Sequence, residues 1–363
     1  MSIIINLLLF VILLSVIVSL HELGHLISAK IFGVYCKEYA IGMGPKIWSY
    51  QGKETEYSIR AFPLGGFVAM AGDENSSLET AVDTTDIPFE RTLKGIAKWK
   101  QIIVMMSGIM MNILLAVFIY SMVFLADGAY VKGTKPVVVS VLESSPAEVA
   151  GLKEGDLIEK ITFENGIYLK PSDYIEMISF TSAYDGNGPW ILEIERDGKD
   201  LTIEVMPEYD ESQERYMVGI GFSNEATELV NVNIFNCFYY GFKYAFFILR
   251  ITWSSLLTLF QGKNLESVSG PVGIYDTVAQ TASLGFFYYI QLMAAISINV
   301  GIINAFPLPI FDGGRVVLLI IECIIGKPLS EKASNMIMNI SMALLMALLI
   351  FVTYNDIVKL IGG

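Results

Sequence analysis

Histidine is almost missing from this chain, with two in 363 residues. Cysteine is scarce as well. Cys36, Cys237 and Cys323 lie far apart, without metal-ligand or redox spacing, and read as ordinary apolar residues. Charge is thin, at 17% of residues against the usual ~25%. Apolar residues make up 53% against ~45–50%, and the mean hydropathy of +0.54 is too high for a single soluble core. Yet 37 acidic and 24 basic residues are too many for a chain that lies wholly in lipid. These values describe a membrane protein carrying a polar domain. There is no internal repeat and no low-complexity tract.

The charge has an address. Residues 127–230 hold 21 acids and 8 bases, a net of −13, while the rest of the chain holds 16 of each sign. One central block therefore carries the whole acidity and reads as a soluble domain. It has no basic patch, so nucleic acid is excluded as a partner.

Residues 3–20 form an apolar run broken only by Asn6, Ser15 and Ser19, and the pattern continues helically to about Ile31, long enough to span a bilayer. A cleaved signal peptide fits badly, because no Lys or Arg precedes the run and no small-residue cleavage site follows it. Nine bases then fall between Lys30 and Lys100, which predicts a cytoplasmic loop and an N-terminus facing out. A second span is expected from about Gln101 to Leu125. A third begins near Phe286, meets Asn299, Asn304, Pro307 and Pro309, and resumes as an apolar helix to about Ile325. A fourth runs from about Ile337 to Thr353. Between the second and third, Ile234 to Phe260 is apolar and aromatic, but Lys243 and Arg250 interrupt it. An interfacial amphipathic helix is the expectation there.

Within the acidic block, Val137 to Val141 reads as a buried strand. Ser144-Ser145-Pro146 reads as a helix start, with a hydroxyl N-cap and Pro in the first turn. Gly151 closes that helix, and Gly155-Asp156 turns into the strand Leu157 to Ile161. Further strands are expected at about 190–196, 201–206 and Met217 to Phe222. The stretch S-S-P-A-E-V-A-G-L-K-E-G-D-L-I-E-K-I resembles a PDZ domain of the bacterial type.

The two histidines are His21 and His25, in the run H-E-L-G-H. Four residues apart on a helix they share a face. They can bind one zinc, and Glu22 between them can take a proton from a water polarised by the metal. The pattern also occurs by chance in soluble helices. Here three ionisable residues near the end of a membrane helix are costly, which argues for function. Two histidines leave a catalytic zinc short of a protein ligand, and the third must be carboxylate or thiolate. Asp312 is the leading candidate. It stands in an apolar stretch after Asn304-Ala305-Phe306-Pro307-Leu308-Pro309-Ile310-Phe311 and before Gly313-Gly314. Two prolines break the helix there, and such unwound backbone at membrane depth needs protein or a wet cavity around it. An Asp that merely caps the next helix is the alternative, and Glu322 is a rival ligand.

At these residues the chain resembles the site-2 protease family of intramembrane zinc metalloproteases, in its bacterial branch with an extracytoplasmic PDZ domain. H-E-L-G-H matches the family's first motif and N-A-F-P-L-P-I-F-D-G its second. The resemblance extends to S-G-I-M-M-N in the second span, where Ile109 replaces a common Pro, and to S-G-P-V-G-I at 269–274. Phe311 stands where Leu is usual and Arg315 where His is frequent; only local repacking is expected from either. The resemblance implies that His21, His25 and Asp312 hold Zn2+, that Glu22 is general base and then proton donor, and that Asn304 hydrogen-bonds the substrate backbone near the metal, with Pro307 also at the substrate. Residues 56–72, with Gly66 and Phe67, are similar to the family's membrane-associated β-hairpin, whose exposed strand could pair with an unwound substrate.

The expected fold is therefore an α-helical polytopic membrane protein of about four transmembrane helices, with a membrane-associated β-hairpin and one extracytoplasmic PDZ-like α+β domain. Its expected parts are a first span at 1–32, the hairpin region at 33–98, a second span at 99–126 and the PDZ-like domain at 127–231. An interfacial helix and linker follow at 232–284, then a third membrane segment at 285–326 and a fourth span at 336–358. The resemblance implies partners as well: single-span membrane proteins such as anti-sigma factors, or signal-peptide remnants, cut within a bacterial cell membrane toward its cytoplasmic side, a C-terminal peptide at the PDZ-like domain, and lipid. A metal transporter would need several sites and no catalytic Glu. A PDZ membrane scaffold would leave H-E-L-G-H in lipid without a purpose.

Overall fold

The computed structural model describes residues 3–73, 82–132, 135–172, 174–182, 184, 186–210, 215–222, 228–260, 270–327 and 329–362. Ser269 of the S-G-P-V-G-I run, and with it the linker at 261–269, lies outside the described residues. In chain order the elements are α1 (Ile3–Ile31), β1 (Cys36–Gln51), β2 (Glu56–Met70), α2 (Lys98–Asp127), β3 (Ala129–Lys132), β4 (Val138–Val141), α3 (Pro146–Val149), β5 (Leu157–Phe163), β6 (Tyr168–Leu169), α4 (Tyr174–Thr181), β7 (Trp190–Arg196), β8 (Lys199–Val205), β9 (Glu208–Asp210), β10 (Arg215–Met217), β11 (Ile220–Phe222), β12 (Glu228–Asn231), α5 (Cys237–Phe260), α6 (Pro271–Leu284), α7 (Phe286–Asn304), α8 (Asp312–Ile325) and α9 (Glu331–Gly362).

The chain divides into two compact units, residues 1–123 with 266–363, and residues 124–265. Among the described residues four helices are long and apolar enough to cross a membrane: α1, α2, α7 and the Lys332–Tyr354 part of α9. This is a multi-pass membrane protein. The third span is shorter than the sequence suggested. It is α7 alone, because the prolines after Asn304 stop the helix, and α8 has only 14 residues. The region expected as linker also holds a helix, α6. Pro271 opens it in the first turn, where the missing N–H costs nothing.

In the first unit α1 packs against α6 and α7 through Leu13, Ile17, Val278, Ala282, Tyr289 and Met293, and the Tyr289 hydroxyl donates to the Leu9 carbonyl at 2.9 Å. Against α2 small residues permit a local close approach. A Cβ on Gly24 would lie 2.4 Å from the Ser107 carbonyl oxygen, and the Ser28 and Ser107 hydroxyls meet at 2.8 Å. α1 ends where Val34 N–H reaches back to the Ala29 carbonyl at 2.9 Å around Gly33, whose φ of +82° suits glycine at a helix C-terminus. The chain then forms the antiparallel hairpin β1–β2, which lies against α1 and shares a core with it through Leu26, Val34, Tyr39, Val68 and Met70. Glu38 and Arg60 pin the two strands by a buried ion pair of 2.9 Å.

The second unit holds a four-stranded antiparallel sheet in the order β6-β5-β7-β8 and a separate β11–β4 pair. Their inner faces join α3 and α4 in a core that includes Val138, Ile158, Ile161, Leu192 and Ile194. The Ser145 hydroxyl caps α3 by accepting from Glu148 N–H at 3.3 Å, and the Glu148 carboxylate accepts from Ser144 N–H, one residue before the cap, at 2.6 Å. Asp156 is fully buried. It accepts two hydrogen bonds from Arg196, at 2.6 and 2.7 Å, and one from Lys153 N–H at 2.8 Å. In α5 the large residues Phe238, Phe242 and Phe246 recur one turn apart and are exposed.

Candidate active site

One helical turn separates the imidazoles on α1. Their centroids are 4.8 Å apart with planes at 80°, and both rings are buried. Asp312, the first residue of α8, reaches both. Its Oδ2 lies 3.0 Å from His21 Nε2 and 3.2 Å from His25 Nε2, and the two Nε2 atoms are 3.2 Å apart. Three donor atoms thus form a nearly equilateral triangle. Tetrahedral zinc with bonds of ~2.0–2.1 Å requires donors about 3.3–3.4 Å apart, so this set fits zinc with little adjustment. His25 Nδ1 lies 2.7 Å from the Val104 carbonyl. A carbonyl can only accept, so Nδ1 carries the proton and the Nε2 lone pair is free for a metal. The donor atoms of His21, Glu22 and His25 all lie within 4.8 Å of one another.

Asp312 comes into reach because the chain folds back on itself. α7 stops at Asn304, and residues 305–311 turn before α8 begins. A Cβ on Gly313 would sit 2.1 Å from the Ala305 carbonyl oxygen, and one on Gly314 2.1 Å from the Leu308 carbonyl. Only glycine admits so close a return of backbone, and both glycines are buried.

The triangle opens on a cavity of about 380 Å³, walled by Val18, Phe67, Val68, Met70, Val300 and Ile310 and carrying Glu22, Asn304, Asp73 and Arg315. This volume falls within the range of small binding clefts, ~300–1,000 Å³. The fold thus brings His21, Glu22, His25, Asp312, Asn304 and Phe67 together. Gly66 passes beside them, since a Cβ there would lie 3.7 Å from Glu22 Cγ. Pro307 is exposed and is not part of the cavity wall. The rival Glu322 accepts from Lys98 Nζ and from Leu329 N–H, the latter at 3.0 Å, and also lies off the wall. A thiolate ligand is not at hand. Burial pushes the Cys36 thiol up to about 12, and none of the three cysteines lines the cavity.

The model of peptidase family M50 matches residues 9–348. The chain belongs to peptidase family M50. A protein named as a zinc metalloprotease of Clostridium acetobutylicum is 32% identical over 356 residues, covering 97% of each chain. The regulator of sigma-W protease RasP of Bacillus subtilis is 30% identical, covering 97% of this chain and 98% of its own. The zinc metalloprotease RasP of Geobacillus kaustophilus is 29% identical over similar shares. As a member of M50, the site-2 proteases, this chain is an intramembrane zinc metalloprotease. Bound zinc supplies Lewis acidity toward a carbonyl oxygen and lowers the pKa of a water held beside it.

Three features of this M50 site were not assigned from sequence. Gly108 lies under both imidazoles, where a Cβ would stand 2.5 Å from His25 Nε2 and 2.6 Å from His21 Nε2. Asn112, one turn along α2, is fully buried with its amide 3.2 Å from His21 Nδ1. Their four-residue spacing inside S-G-I-M-M-N was the available signal, but nothing in the sequence says which helix that face meets. Arg315, expected to cause only local repacking, instead donates to the Asp73 carboxylate and ties α8 to the end of the hairpin at the cavity wall. Asp73 carried no signal.

Proposed function

We propose that His21, His25 and Asp312 hold the zinc of this protease and that Glu22 is its general base and then its proton donor. The triangle of donor atoms at 3.0–3.2 Å, with Glu22 on the same cavity wall, carries this reading. Glu22 takes the proton of the attacking water and passes it to the leaving amide nitrogen. Such a relay contributes about 10²–10⁴-fold. Asn304 donates to the substrate backbone at the cavity. Among the described residues one cluster of this kind exists, which suits a single reaction centre better than a transport path.

A helical peptide bond is shielded by its own hydrogen bonds and must be extended before it can be cut. The hairpin supports a place for that extended segment. Residues 56–59 of β2 pair on both sides with the two halves of β1, whereas residues 66–70 pair on one side only, with 36–41. Among the described residues the outer edge of β2 at Gly66 and Phe67, beside Glu22, therefore has no strand partner. Pairing there is β-augmentation. The substrates are single-span membrane proteins, anti-sigma factors among them, or signal-peptide remnants; the name of the Bacillus subtilis relative supports a membrane-held regulator. The nine bases between Lys30 and Lys100 support a cytoplasmic side for the hairpin and the active site; on this reading the hairpin lies on the membrane and α5 at its interface.

On the same reading residues 127–231 form a PDZ-like domain outside the cell membrane. A groove of about 150 Å³ between α4 and β11, walled by Tyr174, Met177, Ile178, Tyr216, Ile220 and Phe222, supports a site for an apolar C-terminal peptide. The deciding experiment compares wild type, Glu22→Gln and His21→Ala on a model single-span substrate, with zinc measured in each. Glu22→Gln is expected to keep zinc and lose cleavage by at least 100-fold, and His21→Ala to lose both. Glu22→Gln activity above a tenth of wild type would reject the assignment.

A further inference from the structure

A role for Asn112 follows if His21 is a zinc ligand, the reading on which it rests. Asn112 stands at the centre of the helix packing, fully buried on α2. Its amide nitrogen lies 3.2 Å from His21 Nδ1, and its Oδ1 is buried with no hydrogen-bond partner. Its backbone carbonyl accepts from the Ser297 hydroxyl at 2.9 Å, so α7 holds that turn of α2 in place. Neutral imidazole has one N–H and one lone pair. His21 turns Nε2 toward Asp312 and His25, so a metal in that triangle requires the lone pair on Nε2 and the proton on Nδ1. A protonated Nδ1 must donate, and an amide nitrogen cannot accept. The two ends of a primary amide are nearly equal in shape, and the hydrogen-bond network decides which faces which neighbour.

We propose that Asn112 is a positioning residue for the zinc site. A half-turn of its amide places Oδ1 against His21 Nδ1, gives that buried oxygen a donor, and holds His21 in the tautomer that can bind metal. His25 has the same service from the Val104 carbonyl at 2.7 Å. The two histidines are thus oriented by acceptors from one helix, a backbone carbonyl and a side-chain amide two turns further on. Acceptors of this kind raise ligand basicity and fix ring direction, and losing one typically lowers metal affinity 10–100-fold.

The test uses the full-length protein in detergent, with zinc affinity measured by competition against a chelator and thermal unfolding measured in excess chelator. Asn112→Leu keeps the branched shape without an acceptor. It is expected to bind zinc 10–100-fold more weakly without a lower unfolding midpoint in chelator. Asn112→Asp keeps an acceptor in the same place and is expected to bind zinc at least as tightly as wild type, a rescue that mere filling of space would not produce. Zinc bound by Asn112→Leu as tightly as by wild type would overturn the role. So would an Asn112→Asp variant as weak as the Leu variant, and if the Leu variant fails to fold, Asn112→Asp against wild type decides alone. His21→Ala separates the two levels. If it keeps full zinc, the His21 assignment falls and the role of Asn112 with it; if it loses zinc while Asn112→Leu keeps it, the role alone falls.

Discussion

Adding one methyl group at Gly108 sets two effects of known size against each other. In an exposed helix Gly→Ala stabilises by about 0.8–1.0 kcal/mol. At Gly108 the new Cβ would stand 2.5 Å from His25 Nε2, 2.6 Å from His21 Nε2 and 2.7 Å from His21 Cε1. Ordinary contact is about 3.5 Å, so both rings must retreat by about 1 Å. The backbone need not move, because the rings are side-chain ends and can swing aside. Their donor atoms cannot do so and keep the triangle, since zinc distances tolerate only about ±0.2 Å. Gly108→Ala is therefore expected to fold, with an unfolding midpoint in excess chelator no lower than wild type. Its zinc affinity should fall by at least about 100-fold, equivalent to about 2.7 kcal/mol, and proteolysis should fall with it. Metal content after dialysis against a weak chelator, beside a melting curve, reads both quantities. A variant that retained one tightly held zinc and activity within tenfold of wild type would refute the reasoning, because the imidazole nitrogens would then not be the ligand atoms.

Asp312→Ala should lower bound zinc as well as activity, unlike Glu22→Gln; full, tightly held zinc in Asp312→Ala would require another ligand. In the second unit burial acts to raise the Asp156 carboxyl, but the hydrogen bonds from Arg196 and Lys153 N–H outweigh it and hold the group below its ordinary 3.8. A lowered carboxylate stabilises above its unfolded value and loses that contribution as pH falls through the folded one. Amide-exchange protection factors across residues 124–265 in the whole protein, taken relative to the intrinsic rate at each pH, should therefore fall below about pH 4. Arg196→Leu should cost roughly 3 kcal/mol at neutral pH, and unchanged exchange in that variant would remove the ion pair from the account. A reporter active only outside the cell should work after Val230 and fail near Asp83, and the reverse would overturn the orientation. Deleting residues 136–222 should let the enzyme cut a substrate that still carries a bulky outer domain while trimmed substrate remains cleavable. Loss of cleavage of trimmed substrate in a folded, zinc-bound deletion would favour recruitment over exclusion by size.

Local physics made much of this protein readable before its fold was known. The spans at α1, α2, α7 and α9 follow from apolar runs, because a bilayer imposes a length and a composition on any helix that crosses it. The H-E-L-G-H face follows from helix periodicity alone, and the cap of α3 from S-S-P with Glu148 three residues after Ser145. Pairing information is of another kind. Asp312 and Glu322 both sit in apolar surroundings on one chain segment, and only the return of residues 305–309 over Gly313 and Gly314 puts the first on the histidines and leaves the second with Lys98. Gly108 and Asn112 were visible as a four-residue repeat, but their meaning depends on α2 meeting α1 at the histidine turn. Asp73 acquires a role only because Arg315 arrives beside it from a residue 242 positions away. Segment character is set by neighbours within a turn or two, whereas the choice among distant partners is made by packing, which no stretch of the sequence carries by itself.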